Sequence, residues 1–412
     1  MSNLSVSKKP NKLLVFYQGI LAVAAVLIFF TKFDIFLEQW GIGIPLYWLF
    51  GFLILSAPLS ISFFGKIEYI PKPLLIWCMV YFGMSCLATI IAPKIPDMQL
   101  LEDQIRSILF LGLTVVLFSE HAIVQKAVKI AILIVSFFNI GCFIYEFFNP
   151  LTFGALNAYG RAAGFYIDSN EAGCALVLGM IFCIDLFKPQ FRLLFAFIIM
   201  LGIMPTLSRG AILTWGLVII FFMIKKIIPT YQISFLGLAI ASFFIVLITQ
   251  INNLDKLKAA DGTPLFNDDT LTRVEFLVDP FSEDQDTSRI SLVEDAWQSF
   301  AEQPFLGKGL GKAANNKYMS PLGEPQLPHN TYLTLMIEYG FLGFFLYPGL
   351  ILATIWKAQG HLRNLGIAFT VLLLFWGIFS HTTLTSYFIL MSISYMAILV
   401  YQNRMNLNIN KL

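Results

Sequence analysis

Leu13-Leu14-Val15-Phe16-Tyr17-Gln18-Gly19-Ile20-Leu21-Ala22-Val23-Ala24-Ala25-Val26-Leu27-Ile28-Phe29-Phe30 contains no charged side chain. An uncharged apolar run of this length reads as a membrane-spanning helix. Lipid offers no hydrogen-bond partner, and a helix satisfies its own backbone. The run lacks an A-x-A-type exit, so the reading is a retained helix rather than a cleaved signal. Runs of the same kind recur at 42–64, 73–92, 105–120, 127–148, 172–187, 191–207, 210–224, 231–250, 331–356, 364–383 and 387–402, which with 13–31 makes twelve. They are continuous rather than alternating, which points to helices and away from an outer-membrane barrel.

Composition agrees. Of 412 residues, 58% are hydrophobic and 13% charged, too few charges to cover a soluble domain and too much apolar surface for disorder. A net charge of +2 gives no footprint for nucleic acid. Cys78, Cys86, Cys142, Cys174 and Cys183 all lie in apolar runs, which argues against a disulfide framework and against a zinc site. The expected fold is an all-α integral membrane protein of about 12 transmembrane helices with one large outer loop. Residues 1–250 hold helices one to nine, 251–328 form the loop or cap, and 329–412 hold helices ten to twelve.

Basic residues set the orientation. Fifteen Lys and Arg residues, from Lys8 to Lys411, fall in the termini and in the loops on their side. The short loops on the other side carry five: Lys32, Lys94, Arg106, Arg161 and Arg209. Both termini are therefore expected in the cytoplasm and the 251–328 loop outside. That loop holds thirteen acidic against seven basic residues. It is small for an independent domain, so it is expected to pack as a cap on the bundle. Within it, Ser291-x-x-Glu294 has the form of a capping box, and Ile290, Val293, Trp297 and Phe300 follow at helical spacing, predicting an amphipathic helix over 289–302.

Charges avoid the middles of the spans and gather at their outer ends: Arg161, Asp168, Glu171, Arg209, Arg289, His329 and Glu338. Chemistry is expected at the outer surface. Arg209 sits in Thr206-Leu207-Ser208-Arg209-Gly210. Its guanidinium fork suits a lipid phosphate, with an attraction of roughly 4 kcal/mol at contact distance; equally, it is an interfacial arginine that marks a turn. Arg161, in Tyr159-Gly160-Arg161-Ala162-Ala163-Gly164-Phe165, lies on a glycine-bearing loop that could approach a phosphate, or on a plain solvated turn. Asn170 is a possible cap for the next span. Gly307-Lys308-Gly309-Leu310-Gly311 lacks the strand and the Gly-Lys-Ser/Thr ending of a nucleotide loop and reads as a tight turn after Pro304. His329, after the proline-rich 321–328 stretch, is either structural or the best-placed base near neutrality. His381 is a weaker rival. No acidic pair has metal-site spacing apart from Asp268-Asp269 in a generally acidic loop, so neither metal nor cofactor is expected.

His329-Asn330-Thr331-Tyr332-Leu333, continuing to Glu338-Tyr339-Gly340-Phe341-Leu342-Gly343, resembles the histidine motif of the O-antigen ligase and polymerase superfamily of bacterial inner-membrane proteins. Ser208-Arg209-Gly210, Ser288-Arg289 ahead of Trp297, and Pro304-Phe305-Leu306-Gly307-Lys308-Gly309 are similar to further stretches of that family, over about residues 155–345. The resemblance implies a GT-C-like helical fold. It implies an inverting, metal-independent transfer of a glycan from undecaprenyl diphosphate onto an acceptor hydroxyl at the periplasmic face. The acceptor would be lipid A–core in a ligase, or another lipid-linked repeat unit in a polymerase. His329 would be catalytic; Arg209, Arg289 and Arg161 would bind the diphosphate; Asn330 and Glu338 would support. The paired Arg-x10-Gly motifs of some polymerases are missing, because Ala172, Ile220 and Phe300 stand eleven residues after Arg161, Arg209 and Arg289. This favours a ligase. A lipid-linked glycan transporter would need internal symmetry and a polar path through the bilayer, neither of which is evident in the sequence.

Overall fold

A computed structural model describes residues 11–64, 70–91, 98–154, 160–232, 287–319 and 325–409, with isolated positions between 233 and 286. The fold is that of an all-α integral membrane protein. Its helices are α1 (Lys12–Ala25, continued by a π turn to Phe30), α2 (Phe33–Gln39), α3 (Pro45–Phe64), α4 (Lys72–Ile91), α5 (Met98–Phe118), α6 (Ala122–Phe148), α7 (Ser169–Cys183), α8 (Arg192–Ile203), α9 (Arg209–Ile224), α10 (Thr287–Glu302), α11 (Thr331–Tyr339), α12 (Leu346–Thr354), α13 (Gly360–Phe379) and α14 (Tyr387–Ile409). Among the described residues, seven helices are long and apolar enough to cross a membrane. α5 and α14 are of similar length, with polar residues gathered at one end. The expected span at 231–250 and the pair Asp268-Asp269 lie outside the described residues.

Hydroxyls inside the bundle close onto their own helix. Ser85, Thr114, Ser136, Thr354 and Ser392 each donate to the carbonyl four residues back, so these hydroxyl protons are not stranded in lipid. α7 is the hub, apolar on every face and buried along nearly its whole length. Its glycines let neighbours close in. A Cβ on Gly173 would meet Ala211, Thr206 and Ser208, and one on Gly179 would meet Ser136. The N-terminal end of α7 is thereby fixed against the start of α9.

The cap departs from its sequence reading in three ways. α10 begins at Thr287, so Ser291 is an interior residue and not an N-cap. The face that packs is Leu292, Ala296 and Phe300, while Val293 and Trp297 stay exposed, because α10 lies on α11 through Leu333, Met336 and Ile337. A short antiparallel pair, Asn315–Met319 with Pro325–Gln326, adds the one strand feature of the described residues.

The expected span at 331–356 is two helices, not one. α11 stops at Gly340, whose φ of +72° favours glycine and whose Cβ would strike the carbonyl of Phe305. The chain then folds back, so that Gly343 lies against the Leu335 carbonyl. Tyr332 and Tyr347, at the starts of α11 and α12, donate to the neighbouring carbonyls of Leu374 and Leu373 on α13 and so sit at one depth. The Gly307–Gly311 turn caps the end of α11. Lys308 N donates to Ile337 O at 2.7 Å and Gly309 N to Glu338 O at 3.2 Å, occupying carbonyls that a helix end leaves open.

The opposite ends of α6 and α7 carry Lys129 and Asp185, paired at 2.6 Å, with His361 at 3.4 Å. This is the side on which sequence charge places the cytoplasm. Reporter fusions at Lys226 and Asp284 are expected to report opposite faces of the membrane; the same signal from both would overturn the orientation.

Candidate active site

Four segments meet at one end of the bundle: residues 160–171, 204–210, 329–331 and 380–386. The first is pinned by backbone hydrogen bonds. Ala162 N donates to Pro205 O at 2.9 Å, and Ala163 and Gly164 N donate to the Glu146 carboxylate at 2.8 and 2.6 Å. Ile167, a β-branched residue at φ +65°, holds an uncommon backbone conformation and delivers Asp168 to the start of α7. Asp168, not Asn170, is the N-cap, accepting from Asn170 N and Glu171 N.

Arg161 is half-buried. Its Nε donates to Thr206 O at 3.1 Å and its Nη2 to Asn170 Oδ1 at 3.0 Å. It therefore ties the first segment to the turn that bears Arg209. That turn has Leu207 in the left-handed region, then Ser208 as N-cap of α9, accepting from Ala211 N at 3.3 Å. Arg209 is half-buried at the first position of α9, where the helix dipole adds to its positive charge. Gly210 beside it lies against Phe379 and Trp376 at the end of α13. Arg289 is in the first turn of α10, and its side chain lies outside the described residues.

His329 is exposed. Asn330 follows as N-cap of α11, its Oδ1 accepting from Leu333 N at 3.1 Å. Thr331 donates to Ser380 O at 2.6 Å and sits 2.8 Å from the Thr383 hydroxyl, which fastens the histidine turn to the 380–386 loop. That loop carries His381, whose ring lies 5.1 Å from His329, edge to face. Burial, then the neighbouring His329 charge, pushes the His381 pKa down to about 4, against an opposing pull from Asp168. Among the described residues its Nδ1 is buried without a hydrogen-bond partner.

The group that joins these pieces stood in the sequence as one of the charges at the span ends, with no role assigned to it. Glu171 is buried; it pairs with Lys32, and its Oε1 accepts from Thr382 at 3.1 Å and Ser386 at 3.2 Å. One carboxylate thus fixes the His381 loop to α7 and holds Lys32 nearby. The available signal was an acid three residues after Asp168, at the mouth of an apolar span. Glu338 is brought elsewhere. It lies at the far end of α11 from His329, where it accepts from Gly311 N at 2.9 Å and supports the glycine turn. Among the described residues, no group of three or more His, Cys, Asp and Glu side chains is placed to hold a metal ion.

The depressed His381 pKa has a measurable consequence. The unfolded chain takes up this proton below about pH 6.5 while the folded chain resists until about pH 4. Stability is therefore lost as pH falls through that window, by about 2 kcal/mol at pH 4.5. His381→Asn should lose less apparent Tm than wild type between pH 7.5 and 4.5; equal acid shifts would show that His381 titrates normally.

Residues 193–347, from the start of α8 into α12, match the family described as O-antigen ligase. Over that region, a little over a third of its length, the chain is similar to the O-antigen ligase family. An O-antigen polymerase from Salmonella muenchen is 24% identical over 204 residues, 46% of this chain and 46% of that protein. The likeness thus spans about half the length of that relative. The matched O-antigen ligase region contains Arg209, Arg289, His329, Asn330 and Glu338, whereas Arg161, Glu171, Lys32 and His381 lie outside it.

Proposed function

We propose that this protein is a glycosyltransferase of the bacterial inner membrane. It would transfer a glycan from an undecaprenyl diphosphate donor to the lipid A–core acceptor at the periplasmic face, as an O-antigen ligase. The observation that carries this reading is the junction itself: exposed His329 is fastened through Thr331 to the His381 loop, that loop through Glu171 to α7, and the start of α7 through Arg161 to the turn that bears Arg209. This chain of contacts supports a reading in which the His329 imidazole and the arginine turns serve one site.

In this mechanism the acceptor hydroxyl oxygen attacks the anomeric carbon of the donor sugar. The bond from that carbon to the diphosphate oxygen breaks, and its electron pair leaves on the lipid diphosphate. Arg209, with Arg289 and Arg161, stabilises that growing charge. His329 accepts the hydroxyl proton, and one displacement inverts the anomeric centre. The division into helices over 1–250, a cap over 251–328 and helices over 329–412 follows the same reading, with both termini cytoplasmic and surrounding membrane lipid solvating the exposed helix faces.

A second reading is a repeat-unit polymerase, favoured by the Salmonella relative. The same residues would act, with another lipid-linked repeat as acceptor. Purified protein in lipid discs, given a lipid-linked O-antigen donor and lipid A–core, is expected to form glycosylated core in the presence of EDTA. Polymer formed from donor alone would favour the second reading. Loss of all transfer on chelation, rescued by magnesium or manganese, would overturn metal independence.

A further inference from the structure

One cavity that the mechanism does not use lies beside the histidine turn. Between α10 and the 308–314 segment lies an open-sided groove of about 480 Å³, a size within the roughly 300–1,000 Å³ common for small-molecule sites. Its floor is made of small apolar groups, among them Ala296, Ala313 and Pro328. Its rim is polar: Asp295, Gln298 and Lys312 project from the two sides. One wall is ordered by Lys308, which donates to Ser299 Oγ at 2.8 Å and to Glu302 Oε2 at 2.7 Å.

We propose that this groove binds the acceptor glycan. The inference rests on the glycosyl-transfer reading and extends it by giving the acceptor a site distinct from the arginine turns. The charge pattern decides the ligand class. The lining carries two acids, Asp295 and Glu302, and two bases, Lys308 and Lys312, and Lys308 is paired with Glu302, so the groove has no net charge to favour a diphosphate. Interspersed donors and acceptors over a shallow apolar floor suit a polyhydroxylated ring, whose faces are apolar and whose edges hydrogen-bond. Position decides the role. Pro328 lines the groove and the next residue is His329, so a glycan lying there would present a hydroxyl at the candidate base. The donor would be held apart from the groove, at the turns that carry Arg161 and Arg209.

The two acceptor sources share this chemistry, and binding separates them. Full-length His329→Ala protein in lipid discs, which removes turnover, would be titrated with core oligosaccharide freed from lipopolysaccharide by mild acid. A parallel titration would use the oligosaccharide of one O-antigen repeat. One of the two is expected to bind saturably, core for a ligase and repeat for a polymerase. Adding Gln298→Ala and Lys312→Ala should weaken that binding at least tenfold while donor binding stays within twofold. Unchanged affinity in the groove variant, or no binding of either oligosaccharide, overturns the proposal. The transferase reading is judged separately by transfer in the wild type: transfer with unaltered acceptor affinity in the groove variant would remove the groove and leave the reaction standing.

Discussion

His329→Ala should fold, hold the lipid donor and transfer glycan at least a hundredfold more slowly. A sugar hydroxyl is a weak nucleophile near neutrality, and a positioned base contributes about 10² to 10⁴ in rate. The structure makes this variant a clean one. His329 is exposed, and the start of α11 is held by the Asn330 cap and the two bonds of Thr331, none of which involves the imidazole. Loss of fold is therefore not expected, and a melting profile with donor titration will check it. His329→Gln keeps a hydrogen-bonding side chain and cannot take up the proton; substantial transfer by it would mean that the residue positions the acceptor rather than deprotonating it. His381→Gln supplies the contrast. Its ring is buried beside His329 and its pKa of about 4 keeps it neutral through the working range, so its replacement by neutral Gln should leave the pH profile in place and not abolish transfer. Near-wild-type transfer by His329→Ala would reject the catalytic assignment outright.

The membrane class, the positions of the long helices and the clustering of charge at one end were legible in the sequence because each rests on a local rule. A span is a run, and a mouth is where the run meets its first charge. What stayed hidden depends on distant partners. The apparent single span at 331–356 contains no proline before Pro348 and no charge except Glu338, so it reads as continuous. Its break at Gly340 is required by the Pro304–Gly311 turn packing onto it from outside. The buried face of α10 was misread by one residue position, because Trp297 is large and apolar and hydropathy alone assigns it inward. At a membrane surface an exposed tryptophan carries no such penalty. Glu171 and Lys32 are 139 residues apart in sequence, and nothing local couples them. The two glycine-bearing motifs, seen separately in the sequence, prove to be the two sides of one contact.

Arg209→Ala is expected to slow transfer by about 10² to 10³, the usual cost of removing one donor aimed at developing transition-state charge. Arg209→Lys should recover only part of that loss, since it keeps the charge and loses the paired N–H fork that matches a phosphate. The alternative, an arginine that merely marks the turn, makes the reverse prediction: Lys would serve as well, because snorkelling needs only a long stem and a charge. Location separates the two. The turn has supports other than Arg209: the Ser208 cap, the left-handed Leu207 and the Arg161 bond to Thr206. Arg161 serves as the internal control. Its Nε and Nη2 are committed to Thr206 and Asn170, so Arg161→Lys should lower the melting temperature along with activity, whereas Arg209→Lys should lower activity alone. Measuring donor affinity beside rate sharpens the test. Charge on the diphosphate grows as the anomeric bond breaks, so the Arg209 substitutions should reduce kcat more than they weaken donor binding. Full activity of Arg209→Lys, or a loss confined to donor affinity, would remove Arg209 from the transition state and leave it a ground-state anchor.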